Sequence, residues 1–230
     1  MGGRLKGPRD AVRAIRRRAR GFRDRVLLPE ATAGLDQWQR VPLIEAVNHH
    51  VRQLGPERLD AAEISGSDHA AKPWKSFRSL NYPDFDLCAP LDPEVRGAFD
   101  VVLCEQVIEH VIDPNAAAEN LRGLVRPGGH VIVSTPFLIR VHELPTYGMW
   151  DYWRFTPRGL QTLLERAGLE VDHVGSWGNR SVVTGNLYHW PAYRRWHTLR
   201  NEPDLPVQVW AFARNRAERT PTSEPRAPSP

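Results

Sequence analysis

The chain has 230 residues, 41% hydrophobic and 25% charged, with a formal charge of +4. That composition is ordinary for a globular protein and excludes the collagen-like and fully disordered classes. The length fits one domain with extensions, or at most two small domains, and no apolar stretch approaches the ~18 residues of a membrane span.

The charge is uneven. Between Arg4 and Arg25 stand ten Lys or Arg against two Asp, so the basic character belongs to an N-terminal arm, and the remainder is acidic on balance. A basic arm on an acidic body argues against specific nucleic-acid binding by the domain. No charged-then-apolar leader opens the chain, and no Ser precedes Ser65, which argues against a transit peptide. The two cysteines, Cys88 and Cys104, sit beside apolar runs without the spacing of a zinc site. Reduced thiols and a cytoplasmic location are the expectation, with no metal.

In chain order, "DAVRAIRRRARGFRDRVLL" (Asp10 to Leu28) places apolar residues at 12, 15, 19, 22 and 26, which predicts a cationic helix stopped by Pro29. It reads either as a solvated helix or as a weak contact, through residues 4–25, with an acidic membrane surface or polyanion. "LDQWQRVPLIEAVNHHVRQLG" predicts a second helix closed by Gly55-Pro56, with His49 and His50 on the surface. "RLDAAEIS" and "KSFRSLNYP" read as strands, and "FDVVLCE" as a strongly apolar one. The pair Glu109-His110 follows it on an expected helical turn. "IDPNAAAENLRGLVRPGG" is a helix with an Asp-Pro start and a Pro-Gly-Gly stop, and "HVIVSTPF" is a β-branched strand. "TPRGLQTLLERAGLE" is a helix with Thr156 as N-cap, Pro157 at its first position and Gly168 after its end. "VDHVGSW" and "VQVWAFAR" are further strands, and the Pro/Ser/Arg-rich tail after Arg214 reads as disordered. Strands alternating with helices predict an α/β sheet covered on both faces. Ligands of such sheets bind outside the carboxyl ends of the strands, where Glu105 and Gln106 fall.

The block "FDVVLCEQVIEHVIDP...LRGLVRPGGHVIVSTPF" resembles the fourth and fifth strands of class I S-adenosylmethionine-dependent methyltransferases. The likeness runs on through "DYWRFTPRGLQTLLERAGLEVDHVGSWGN", which is similar to a branch acting on small molecules and glycans, and covers about Glu57 to Arg214. It implies a Rossmann-like fold: a mostly parallel, seven-stranded sheet with helices on both faces, here short of room for the first helix. It divides the chain into a basic arm (1–28), a helical lead-in (29–56), a methyltransferase domain (57–214) and a tail (215–230).

The resemblance also implies a cofactor, S-adenosyl-L-methionine, and places for it. The family's acidic residue and glycine-rich loop fall on "AAEISGSD": Glu63 keeps the acidic place, Ser65 and Ser67 stand where glycines are usual, and only Gly66 remains. No acid matches the family's ribose-binding position at the end of the second strand; Asn81 or Tyr82 can substitute. Asp86 matches the acid that takes the adenine amino group, with the Leu87 amide beside it, although Asp86 also suits a plain turn before Pro90. Glu105, Gln106 and His110 are expected at the methionine portion, His110 more as a brace than as a catalyst.

Methyl transfer from a sulfonium asks the protein to align an acceptor and remove its proton. "PFLIRVHELPTYGMWDYWRFTP" supplies the candidates. His142, with an ordinary pKa near neutrality, is the expected base, and Asp151 the runner-up. Tyr152, Arg154 and, from "GSWGNR", Trp177 are expected at the acceptor, although Arg154 can equally pair with Asp151. "YHWPAYRRWHTLR" suits either stacking on sugars or bases or a packed helix pair. The expected activity is methylation of a hydroxyl, less readily an amine, on a small molecule or saccharide. The thinned glycine loop keeps open a second reading, a methyltransferase-shaped binding module without turnover, tethered by its basic arm to a membrane or polyanion. A nicotinamide oxidoreductase is poorly supported, because no Gly-x-Gly-x-x-Gly follows an early strand.

Overall fold

The computed structural model describes residues 37–143 and 145–216. The basic arm, the start of the helical lead-in and nearly all of the tail lie outside these residues. Among the described residues no helix is long and apolar enough to cross a membrane.

Helix α1 (Val41–Leu54) carries Pro42 in its first turn and ends at Gly55, whose φ of 72° is the left-handed conformation that closes a helix. Strands β1 (Asp60–Ile64), β2 (Ser76–Leu80) and β3 (Phe99–Glu105) follow. Helix α2 (Pro114–Leu124) starts where Asp113 accepts the amides of Asn115 and Ala116, and leads into β4 (Val125–Pro136). Helix α3 (Pro157–Arg166) starts where Thr156 accepts the Gly159 amide at 3.0 Å. Strand β5 (Leu169–Trp177), the short helix α4 (Arg180–Asn186) and strand β6 (Gln208–Asn215) complete the fold.

The six strands form one sheet in the order β2-β1-β3-β4-β6-β5. β1 pairs in parallel with β2 and β3, and β3 with β4, while β6 runs antiparallel between β4 and β5. Side chains alternate across the pleat. Val102 and Cys104 of β3 point with Leu121, Leu124, Leu160 and Leu164 of α2 and α3 into one core layer. Val101 and Leu103 point with Leu43, Val47 and Val51 of α1 into the other.

Four expectations change. Among the described residues six strands form rather than seven: residues 81–98 carry Pro83, Pro90 and Pro93 and settle into turns, because proline cannot donate to a sheet ladder. The expected helical turn at Glu109-His110 is a non-helical turn, and the helix begins only at Pro114. His50 is not a surface residue; its ring stacks on Phe212 of β6 at 4.0 Å between centroids. Residues 188–200 form turns rather than a helix pair.

Candidate functional site

A cavity of about 640 Å³ opens at the carboxyl ends of β1, β2 and β3, within the size range of small-molecule sites. Ser65, Asn81, Tyr82, Asp86, Leu87, Gln106, His110 and Tyr152 all line it, joined by Trp150, which the sequence reading missed. Of the other predicted residues, Glu63, Gly66 and Glu105 neighbour the lining residues Ser65 and Gln106 along the chain. His142, Asp151 and Arg154 stand together beyond His110. Trp177 is only 4% exposed and donates its indole N–H to the Leu199 carbonyl, so it belongs to the core rather than to the cavity lining.

Two sharp turns shape the near wall. Ser65 and Gln106, immediately after β1 and β3, have φ of 53° and 56°, a left-handed conformation that is strained for a side-chain-bearing residue. Gln106 is held there from both sides: its amide donates to Ser134 Oγ at 3.1 Å and to Gln208 Oε1 at 2.8 Å. Behind Ser65, the Glu63 carboxylate accepts the amides of Asp68 at 3.1 Å and His69 at 2.9 Å. At Gly66 a Cβ would fall 2.5 Å from Glu63 Oε1, so any larger residue would have to displace that carboxylate. Asp86 accepts the Cys88 amide through Oδ1 at 2.8 Å, and Leu87 is fixed by Asn120, which donates to its carbonyl at 2.8 Å.

The far end is a cluster of imidazoles and carboxylates. His110 Nδ1 lies 2.6 Å from the Trp150 carbonyl, which can only accept, so Nδ1 is the donor. That Nε2 is 3.7 Å from Glu109 Oε1. Glu109 is 0% exposed; its Oε2 accepts from Thr135 at 3.2 Å, and its Oε1 is buried without a hydrogen-bond partner among the described residues. Burial pushes the Glu109 carboxyl up to about 8. The His142 ring stands 4.9 Å from that of His110, edge to face. Asp151 Oδ2 accepts the His142 backbone N–H at 2.8 Å and lies 3.0 Å from His142 Nδ1, off the line of a hydrogen bond. Burial holds the His142 imidazole below its ordinary pKa, against the opposing pull of Asp151. Burial also raises the Asp151 carboxyl, but bonds from Arg154 and from the His142 amide outweigh it, leaving Asp151 below the usual carboxylate range.

Glu109, His110 and His142 bring one ligand-type atom each to within 4.8 Å of one another. The sequence had offered no metal-ligand spacing, because His142 arrives from the loop after β4.

The cavity suits the expected cofactor. Asp86, whose carboxylate can accept hydrogen bonds, lines it together with Leu87 and Asn81. The glycine at position 66 and the turned backbone at Ser65 leave room for a close approach over β1.

A methyltransferase domain family matches residues 27–174, well over half of the chain. A ubiquinone biosynthesis O-methyltransferase of Marinobacter nauticus is 36% identical over 131 residues, covering 51% of this chain and 52% of that protein. Its namesake from Chromobacterium violaceum is 32% identical over 146 residues, covering 54% and 62%. The chain thus spans about half the length of the curated relatives it matches. Among solved structures, Burkholderia thailandensis 1,6-didemethyltoxoflavin-N1-methyltransferase, with bound S-adenosylhomocysteine, superposes with a TM-score of 0.52 at 13% identity, covering 94% of this chain and 93% of that one. That last likeness speaks for the fold alone. With the sheet order and the domain match in agreement, the chain belongs to the class I S-adenosylmethionine-dependent methyltransferases.

Proposed function

We propose that this chain methylates a hydroxyl group of a small molecule. The observation that carries the proposal is a juxtaposition: His110 lines the cavity at the tips of β1, β2 and β3, and its ring meets that of His142 edge to face. S-adenosylmethionine, when bound, supplies an activated methyl on a sulfonium. Asp86, Leu87 and Asn81 would hold the nucleoside end, and Glu105 and the Gln106 turn the amino-acid end. Tyr152 and Trp150 would flank the acceptor.

His142 then serves as the base. Its lowered pKa keeps the ring neutral near pH 7, so it can take the hydroxyl proton as the new O–C bond forms. Asp151, itself fixed by Arg154, orients the loop that carries His142 and stabilises the imidazolium. A hydroxyl is favoured over an amine by the O-methyltransferase relatives, and a saccharide acceptor has less support than other small hydroxylated molecules. Incubation with methyl-labelled cofactor and separate panels of phenols, saccharides and amines tests the reading. Label recovered as an O-methyl product supports it. Label recovered only on nitrogen, or none in any panel although cofactor binds, contradicts it.

A second reading of the same cluster has its own observation, the unpartnered Glu109 Oε1 facing two imidazoles. Glu109, His110 and His142 would there hold a divalent cation, which would acidify a hydroxyl directly. His142 would then be a ligand instead of the base, and only this reading predicts loss of turnover on chelation.

A further inference from the structure

β1 and β2 are parallel neighbours, a pairing that ordinarily needs a crossover helix. Here residues 65–75 make the connection with turns alone. The cavity therefore has no helix N-terminus over β1 to receive an anionic or zwitterionic ligand group.

A polar lattice stands in the helix's place. Glu63 takes two loop amides, Ser79 Oγ donates to the Gly66 carbonyl at 2.7 Å, and the Trp74 indole donates to the His69 carbonyl at 2.9 Å. Together these bonds aim one side chain across the gap between β1 and β3. His69, only 7% exposed, puts Nε2 2.7 Å from Glu105 Oε1. A carboxylate only accepts, so His69 Nε2 carries the proton. Glu105 Oε2 makes no hydrogen bond among the described residues.

We infer that His69 is a positioning residue for the cofactor: by holding one oxygen of Glu105 it presents the other to the cofactor's ammonium group. The inference rests on the reading above, in which the amino-acid end of the cofactor lies over β1 and β3. Without His69 the Glu105 side chain regains its rotamers, so its oxygen is no longer preorganised. Lys72, whose ammonium donates to Asn48 Oδ1 at 2.5 Å, makes no hydrogen bond to Glu105 among the described residues.

The test titrates S-adenosylmethionine and S-adenosylhomocysteine into the full chain and its variants by calorimetry, alongside steady-state kinetics. His69→Ala is expected to weaken both ligands about tenfold while kcat at saturating cofactor changes less than about twofold. His69→Gln, whose amide can donate to the same oxygen, is expected to restore most of the affinity. Unchanged affinity in His69→Ala, alongside weakened binding in Glu105→Ala, overturns this inference alone. Unchanged affinity in Glu105→Ala overturns the underlying placement of the cofactor. A His69→Ala variant that loses kcat and affinity together, with no rescue by Gln, marks a purely structural residue and also overturns the inference.

Discussion

The rings of His110 and His142 meet edge to face with centroids 4.9 Å apart, although 31 residues of chain, carrying α2 and β4, separate them. His110 comes from the turn after β3 and His142 from the loop after β4, and the parallel pairing of those strands brings both to the same edge of the sheet. The contact joins the cavity, which His110 lines, to the pair His142-Asp151, which it does not reach directly.

If His142 takes the acceptor proton, His142→Ala should lower kcat by roughly 10²-fold or more and leave cofactor affinity within about twofold. Steady-state kinetics and calorimetry on the same preparation read both numbers. Undiminished turnover would show that the base lies elsewhere.

The cation reading predicts that Mn²⁺ or Zn²⁺ binds the full chain at one site and that Glu109→Gln weakens it at least about tenfold. Chelator-treated enzyme should then lose turnover and recover it with added cation. Full turnover in excess chelator, with no heat from either cation, leaves His142 as base.

Much of the fold is legible in the amino-acid order. The strands stand out because apolar side chains recur on both faces of β3, β4 and β6, as burial on both sides requires. The starts of α2 and α3 are written locally in Asp113-Pro114 and Thr156-Pro157. What is not legible depends on partners distant in sequence. Trp177 reads as a rim aromatic, yet its N–H is taken by Leu199 once residues 188–200 fold as turns. His50 reads as exposed until β6 supplies Phe212 beneath it. Nothing in "SGSDHAAK" marks His69 as the partner of Glu105, because that bond exists only when β1 and β3 lie side by side. Glu109 was visible beside His110, but its burial and its free oxygen follow from the Thr135 contact and the returning 142–153 loop.

The turn at Ser65 yields a stability prediction. Ser65→Gly relieves a φ of 53° and should be neutral or stabilising within about 1 kcal/mol. Gly66→Ala should cost about 1–3 kcal/mol, because its Cβ displaces a Glu63 carboxylate already committed to two amides. Denaturant unfolding of the two variants checks the contrast, and equal effects would contradict this account of the loop.

Beneath α1, burial first and then neighbouring His130 lower the His50 pKa to about 4, and burial lowers His130 as well. A base whose folded pKa lies below its unfolded value of 6.5 contributes stability above that value and loses it as pH falls toward the folded pKa. The melting temperature should therefore decline between pH 6.5 and 4. His50→Phe keeps the stack on Phe212 without the titration and should flatten that decline. An unaltered slope would place the acid sensitivity elsewhere.

The central claim is that the hollow at the tips of β1, β2 and β3 receives S-adenosylmethionine with its adenine against Asp86. Calorimetric titration of S-adenosylhomocysteine into the full chain and into Asp86→Ala measures it most directly. One site with a dissociation constant of roughly 1 μM to 1 mM, weakened at least about tenfold by the substitution, is the predicted result. No heat at millimolar ligand, or equal affinity in both proteins, would contradict it.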